Sequence, residues 1–231
     1  MSARASGVYL YAVLGSRPAS DCGVGICAER LRLVVVGDLV AVVGDVPMTP
    51  EPSAMTLRTQ DAVCRRLAAE VDAVLPARFG TVVADDGALT ETLALRSPEL
   101  VRALGRVAGC EQMTLRVWGD APAPPPPARD ATPAADGPGR RYLADRSRAH
   151  ARAHSVPELA PLRQRLADLV RAELAERHDR PPLLATVQHL VRRGAGPRYL
   201  EHVDAARDSL KPWRVSATGP WLPYAFGEDA A

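Results

Sequence analysis

The chain has 231 residues, 29 basic against 27 acidic, and a formal net charge of +2, which allows one large or two small domains and is not the concentrated positive charge of a nucleic-acid binder. Apolar residues make up 47% and charged residues 24%, a balance that excludes a disordered chain. Nowhere does an unbroken apolar run reach membrane-spanning length, so no membrane span is expected.

The first predicted element is a strand over Val8 to Leu14. A secretion signal is rejected there, because the run is short, carries Tyr9 and Tyr11, and has the composition of a buried strand. Leu31 to Val36 and Leu39 to Val43 predict two further strands joined by Gly37-Asp38, a dipeptide suited to a two-residue hairpin because glycine accepts the positive φ of a primed turn. A helix is predicted from about Leu57 to Val74, with Cys64, Leu67, Ala68, Val71 and Val74 at helical spacing. An extended piece, Arg78 to Val83, follows.

A helix begins near Asp86, where Asp85-Asp86 supplies cap and dipole charge. It is expected to restart at Ser97-Pro98-Glu99, an N-cap followed by proline at the first helical position, with Leu100, Val101 and Leu104 on its buried face. Met113, Leu115 and Val117 alternate with Gln112, Thr114 and Arg116, predicting a strand with one wet face that closes the first domain. The stretch Ala121-Pro122-Ala123-Pro124-Pro125-Pro126-Pro127 cannot join a sheet or continue a helix, because proline fixes φ and removes a donor, so it reads as a linker.

Beyond it, Leu159, Leu162, Leu166, Leu169, Val170 and Leu174 lie on one stripe and predict a long amphipathic helix. Leu183 to Val191 reads as a strand, Pro197 to Leu210 as a helix and Arg214 to Thr218 as a strand. The expectation is thus an α+β protein of two small domains, with mainly antiparallel sheets and helices packed on one side. Its parts are an N-terminal domain over 1–118, a linker over 119–139 and a C-terminal domain over 140–231 that ends in an aromatic tail.

Motifs for chemistry are missing. There is no G-x-x-x-x-G-K-[ST] loop, no G-x-S-x-G elbow and no H-E-x-x-H pair. Cys22, Cys27, Cys64 and Cys110 lack a zinc-site spacing and read as reduced thiols of a cytoplasmic protein, with Cys64 in the core. His150 and His154 are four apart and would share a face if helical, but they sit among arginines that repel a cation, and His178, His189 and His202 are isolated. Lys211 is the one lysine, and no basic run exceeds two residues, so the arginine bias is a coding preference and not a phosphate site.

Near the C-terminus, Trp221, Tyr224 and Phe226 fall within six positions in a chain with 3 Trp, 5 Tyr and 2 Phe. With Gly219, Pro220 and Pro223 barring an α-helix, an extended tail that packs its rings into a groove is expected, a groove either of this protein or of a partner.

Two peptides carry a family resemblance: Leu75-Pro76-Ala77-Arg78-Phe79-Gly80-Thr81 and Gly219-Pro220-Trp221-Leu222-Pro223-Tyr224-Ala225-Phe226. With Val8 to Val13, Gly37 to Val43 followed by Val46-Pro47, and Gly139-Arg140-Arg141-Tyr142-Leu143, they resemble the gas vesicle accessory proteins of the GvpL/GvpF type across nearly the whole chain. Gln60-Asp61 stands where that family usually has a histidine-acidic pair, and Leu222 where a proline is common.

The resemblance implies a cytoplasmic, non-enzymatic protein of gas vesicle formation that contacts the major shell protein GvpA and other accessory proteins. It also implies a ferredoxin-like architecture in at least one domain, and no cofactor or metal. Arg78, Phe79, Gly80, Trp221, Tyr224 and Phe226 are the candidate partner-binding or structural residues, with Phe79 as core and Arg78 as a buried carboxylate partner the structural alternative. A small-molecule-binding protein or enzyme of unknown substrate is the other reading.

Overall fold

The computed structural model describes residues 7–120 and 156–230. Strands β1 (Gly7–Leu14), β2 (Leu31–Val36), β3 (Leu39–Val46), β4 (Val74–Pro76) and β5 (Val82–Val83) and helices α1 (Ala54–Glu70) and α2 (Asp86–Val107) come first. They are followed by β6 (Cys110–Trp118), α3 (Ala160–Leu166), β7 (Val170–Arg177), β8 (Leu183–Arg192), α4 (Gly196–Ala206), β9 (Arg214–Trp221) and a closing 3-10 helix, Tyr224–Ala230. These elements form two compact units, Met1–Gln112 with Trp221–Ala231, and Met113–Pro220.

The first unit holds a sheet of order β2-β3-β1-β4 in which β5 also pairs with β1, all the pairings being antiparallel. Val36 lies opposite Leu39, so Gly37-Asp38 is the expected two-residue turn, and Gly37 takes φ +57°, the positive value a primed hairpin turn requires. The capping box at the start of α1 has Thr56 N–H donating to Ser53 Oγ (3.1 Å) and Ser53 N–H donating to Thr56 Oγ1 (2.9 Å), which satisfies two otherwise orphaned donors.

Val63, Cys64 and Leu67 of α1 pack with Tyr9, Tyr11, Leu14, Val40 and Val42 in one core, as the helical spacing predicts for Cys64. On the opposite face, Arg32 bridges Asp45 of β3 (2.7 Å) and Asp86 at the start of α2 (2.8 Å), so this sheet is covered on both faces rather than one. Every residue of β1 is accordingly buried.

The helix Asp86–Val107 runs through Pro98 without restarting. Leu89, Leu93, Leu100, Ala103, Leu104 and Val107 form one continuous buried stripe, and packing along it outweighs the backbone bond that proline cannot donate. Val101 is exposed and does not share that stripe.

In the second unit the sheet order β7-β8-β6-β9, with α3 between β6 and β7 and α4 between β8 and β9, is the split β-α-β arrangement of a ferredoxin-like fold. Met113, Leu115 and Val117 of β6 sit in one core with Leu159, Leu162, Val187 and Tyr199. The strand expected to close the first domain therefore opens the second, and its apolar alternation is used there. Its expected wet face is also largely covered, since Gln112 and Thr114 are buried. Residues 121–139 of the expected linker lie outside the described residues, between β6 and α3 in the chain. The aromatic tail, expected in the C-terminal domain, belongs to the first unit.

The long helix expected over Leu159 to Leu174 is instead the seven-residue α3 followed by β7. Residues 170–177 pair antiparallel with β8, with Glu173 directly opposite His189. Leu174 is exposed on that strand. Cross-strand pairing wins over a spacing that suits either structure.

Candidate functional site

The edge of the first sheet is built around an interruption. β4 pairs with Ala12 to Leu14 of β1, and β5 pairs with Val8 and Tyr9. Between them Ala77 N–H donates to the Tyr11 carbonyl, and Leu10 N–H to the Thr81 carbonyl, both at 2.9 Å. The ladder is thus held on either side while Arg78, Phe79 and Gly80 loop out of it.

Two buried side chains fix this loop. The Tyr9 hydroxyl donates to Gln60 Oε1 at 2.6 Å and accepts from Gly80 N–H at 3.1 Å, while Gln60 Nε2 donates to the Ala77 carbonyl at 2.8 Å. Burial pushes the Tyr9 phenol up to about 12, against the opposing pull of the Gly80 N–H. Phe79 meets the Tyr9 ring edge-on at 6.2 Å, the arrangement aromatic quadrupoles favour. Gly80 has φ +85°, which explains glycine at this position. The Arg78 side chain is exposed and pairs with no carboxylate among the described residues, so it is not a buried ion-pair partner.

The C-terminal peptide arrives at the same place. Trp221 ends β9, 42% exposed. The tail then turns into the 3-10 helix Tyr224–Ala230 and is not extended as expected, since the prolines that bar an α-helix end at Pro223. The Tyr224 hydroxyl donates to Asp61 Oδ1 at 2.9 Å, across 163 positions of sequence. Asp61 also accepts from Arg65 Nε at 2.6 Å, and the Arg65 guanidinium lies 5.8 Å from the centre of the Trp221 ring. Ala225 N–H donates to Gln112 Oε1 (2.9 Å), and Phe226 is buried.

Together these segments line a groove of about 900 Å³. Leu57, Gln60 and Asp61 of α1, Pro76 to Phe79 with Thr81, Trp221, Tyr224 and Gly227 surround it, and Leu10, Val13 and Leu75 add aliphatic surface. Of the six candidate residues, Arg78, Phe79, Trp221 and Tyr224 line the groove. Gly80 shapes the loop beside them, and Phe226 is a core residue of the tail. Leu57, Gln60, Asp61 and Tyr9 are the contributors that the sequence reading did not place here. The signal for two of them was present, since Gln60-Asp61 occupies a signature position of the family it resembles. Among the described lining residues there is no histidine or thiol, and Asp61, the carboxylate, is engaged by both Tyr224 and Arg65.

In the second unit, buried polar groups are paired with one another. His189 is buried, with Nδ1 2.7 Å from the Tyr199 hydroxyl and Nε2 2.9 Å from Glu173 Oε2. A carboxylate can only accept, so Nε2 carries a proton towards Glu173, and in the neutral ring the Tyr199 hydroxyl is the donor to Nδ1. The bond to His189 holds the Glu173 carboxyl below the ordinary glutamate range. Glu158, fully buried, takes two 3.0 Å bonds from Arg177.

Among the described residues no group of three or more His, Cys, Asp or Glu could hold a metal ion, and no helix is long and apolar enough to cross a membrane. His150 and His154 lie outside the described residues. All four cysteines are free, and Cys22, Cys64 and Cys110 are buried.

The family model for gas vesicle synthesis protein GvpL/GvpF matches residues 7–228. Gas vesicle protein L of Streptomyces sp. (strain CB03234) is 31% identical over 250 residues, covering 94% of this chain and 91% of that protein. Two crystal structures share the fold. GvpF from Microcystis aeruginosa has a TM-score of 0.70 at 16% identity, with 96% of this chain and 99% of that one covered. GvpF from Anabaena sp. PCC7120 has a TM-score of 0.69 at 14% identity, with 96% of each chain covered.

Proposed function

Because the chain belongs to the GvpL/GvpF family of gas vesicle synthesis proteins, we propose that it is a non-enzymatic accessory protein of vesicle formation whose first unit holds the shell protein GvpA in the groove between Arg78-Phe79 and Trp221-Tyr224. The observation that carries this reading is convergence. The two peptides through which the sequence resembles the family are far apart in the chain, yet both line one groove. A core alone would need their rings buried, but Trp221 stays 42% exposed and Phe79 only half-buried.

A subunit that builds a gas-facing wall carries apolar surface, which associates indiscriminately in water unless covered before assembly. A groove with aliphatic and aromatic lining and a polar rim suits that task. Contacts with other accessory proteins belong to the same reading, and free thiols fit a reducing cytoplasm as its setting.

Capture of tagged GvpA by the purified full chain tests the proposal. The Phe79→Ala, Trp221→Ala double variant removes two aromatic anchors and should weaken capture by at least about tenfold, with an unchanged circular dichroism spectrum. Full capture by a folded double variant would remove the groove from the binding role.

A further inference from the structure

Three residues leave the ladder at the sheet edge, one of them in a backbone conformation suited to glycine. The Tyr9 hydroxyl and the Gln60 amide, bonded to each other, then hold the loop from beneath through two hydrogen bonds, at Gly80 N–H and the Ala77 carbonyl. Phe79 packs back on Tyr9, and the Arg78 side chain is left projecting and unpaired among the described residues, on the lining of the groove.

The charges of the groove do not cancel. Asp61 is its carboxylate, and Arg65 and the Tyr224 hydroxyl already occupy it. Arg78 is the lining cation, and no carboxylate among the described residues pairs with it. An arginine fork held at the rim of an apolar groove is matched by a carboxylate, which it can engage with two parallel bonds.

We infer that Arg78 is a specificity-determining residue that pairs with an aspartate or glutamate on an otherwise apolar segment of the shell protein. This rests on the reading that the groove binds GvpA. Tyr9 and Gln60 are positioning residues for it, since they hold the loop and do not line the rim as charges.

The test measures GvpA affinity of the full chain at about 50 mM and about 500 mM salt, where screening separates charge pairing from apolar contact. Wild-type binding should weaken with salt. Arg78→Gln should bind on the order of tenfold more weakly at low salt, the worth of one charge-assisted pair, and should lose most of the salt dependence. Arg78→Lys should keep the salt dependence and regain part of the affinity, whereas Trp221→Ala should weaken binding and retain the wild-type salt slope. Arg78→Glu should be rescued by one Asp→Arg or Glu→Arg change in GvpA. If Trp221→Ala weakens binding but Arg78→Gln binds like wild type at both salts, or is weakened equally at both, the role of Arg78 is overturned while the groove stands. If neither variant weakens binding, the groove reading itself fails.

Discussion

At the scale of single residues, Tyr9 shows how one hydroxyl shapes a surface. It is both donor and acceptor in a buried position, so Tyr9→Phe leaves the Gly80 N–H and the Gln60 carbonyl without this partner. Each such loss costs on the order of 1–3 kcal/mol. Urea unfolding should show this loss, and Trp221, placed beside the groove, is the fluorophore to follow in a Trp118→Phe, Trp213→Phe background. In the second unit Glu173 makes a pH prediction. Its folded pKa lies below its unfolded one, first because of the bond to His189. Its contribution is therefore complete above the ordinary glutamate pKa and lost as pH falls through the depressed folded value. A His189→Gln variant should lose less stability over that acid interval, measured as the urea midpoint against pH.

At the scale of elements, the capping box of α1 was not anticipated and the proline of α2 was read as a boundary. Ser53→Ala should cost about 1 kcal/mol through the lost cap. Pro98 is exposed within a continuous helix, so its ring contributes no core packing. Pro98→Ala restores the interior hydrogen bond and should stabilise the protein by about 1–3 kcal/mol, seen as a higher melting temperature. Ser97-Pro98-Glu99 has the chemistry of a helix start. What decides against a start is the stripe from Leu89 to Val107, whose spacing continues through the proline. The segment after Leu166 went the other way: its apolar spacing satisfies a helix, but Glu173 finds His189 across a strand pair. That partner is invisible to local periodicity. The hairpin at Gly37 and the helical face of Cys64, by contrast, depend on neighbours within one element and were legible from the start.

At the scale of the whole molecule, the α+β class and the two units were readable, and the border between them was not. Met113, Leu115 and Val117 declare a strand with a buried face, but no residue on it says which sheet it joins. The proline-rich stretch marks a change of composition, and the division between the units falls before it, at Gln112/Met113. The groove was half legible: both peptides stood out, Gln60-Asp61 stood at a family position, and only the fold brings them together. The closing 3-10 helix packs against α2 and β4, with Phe226 buried. Phe226→Ala should therefore destabilise the first unit by about 3–5 kcal/mol, read by Trp221 fluorescence in the same tryptophan background.

The most direct measurement is hydrogen–deuterium exchange of the full chain with and without GvpA. The account predicts new protection at residues 57–61, 77–81 and 221–226, with the rest of the first unit unchanged. Protection confined to other segments, with these three exchanging as in the free protein, would contradict it.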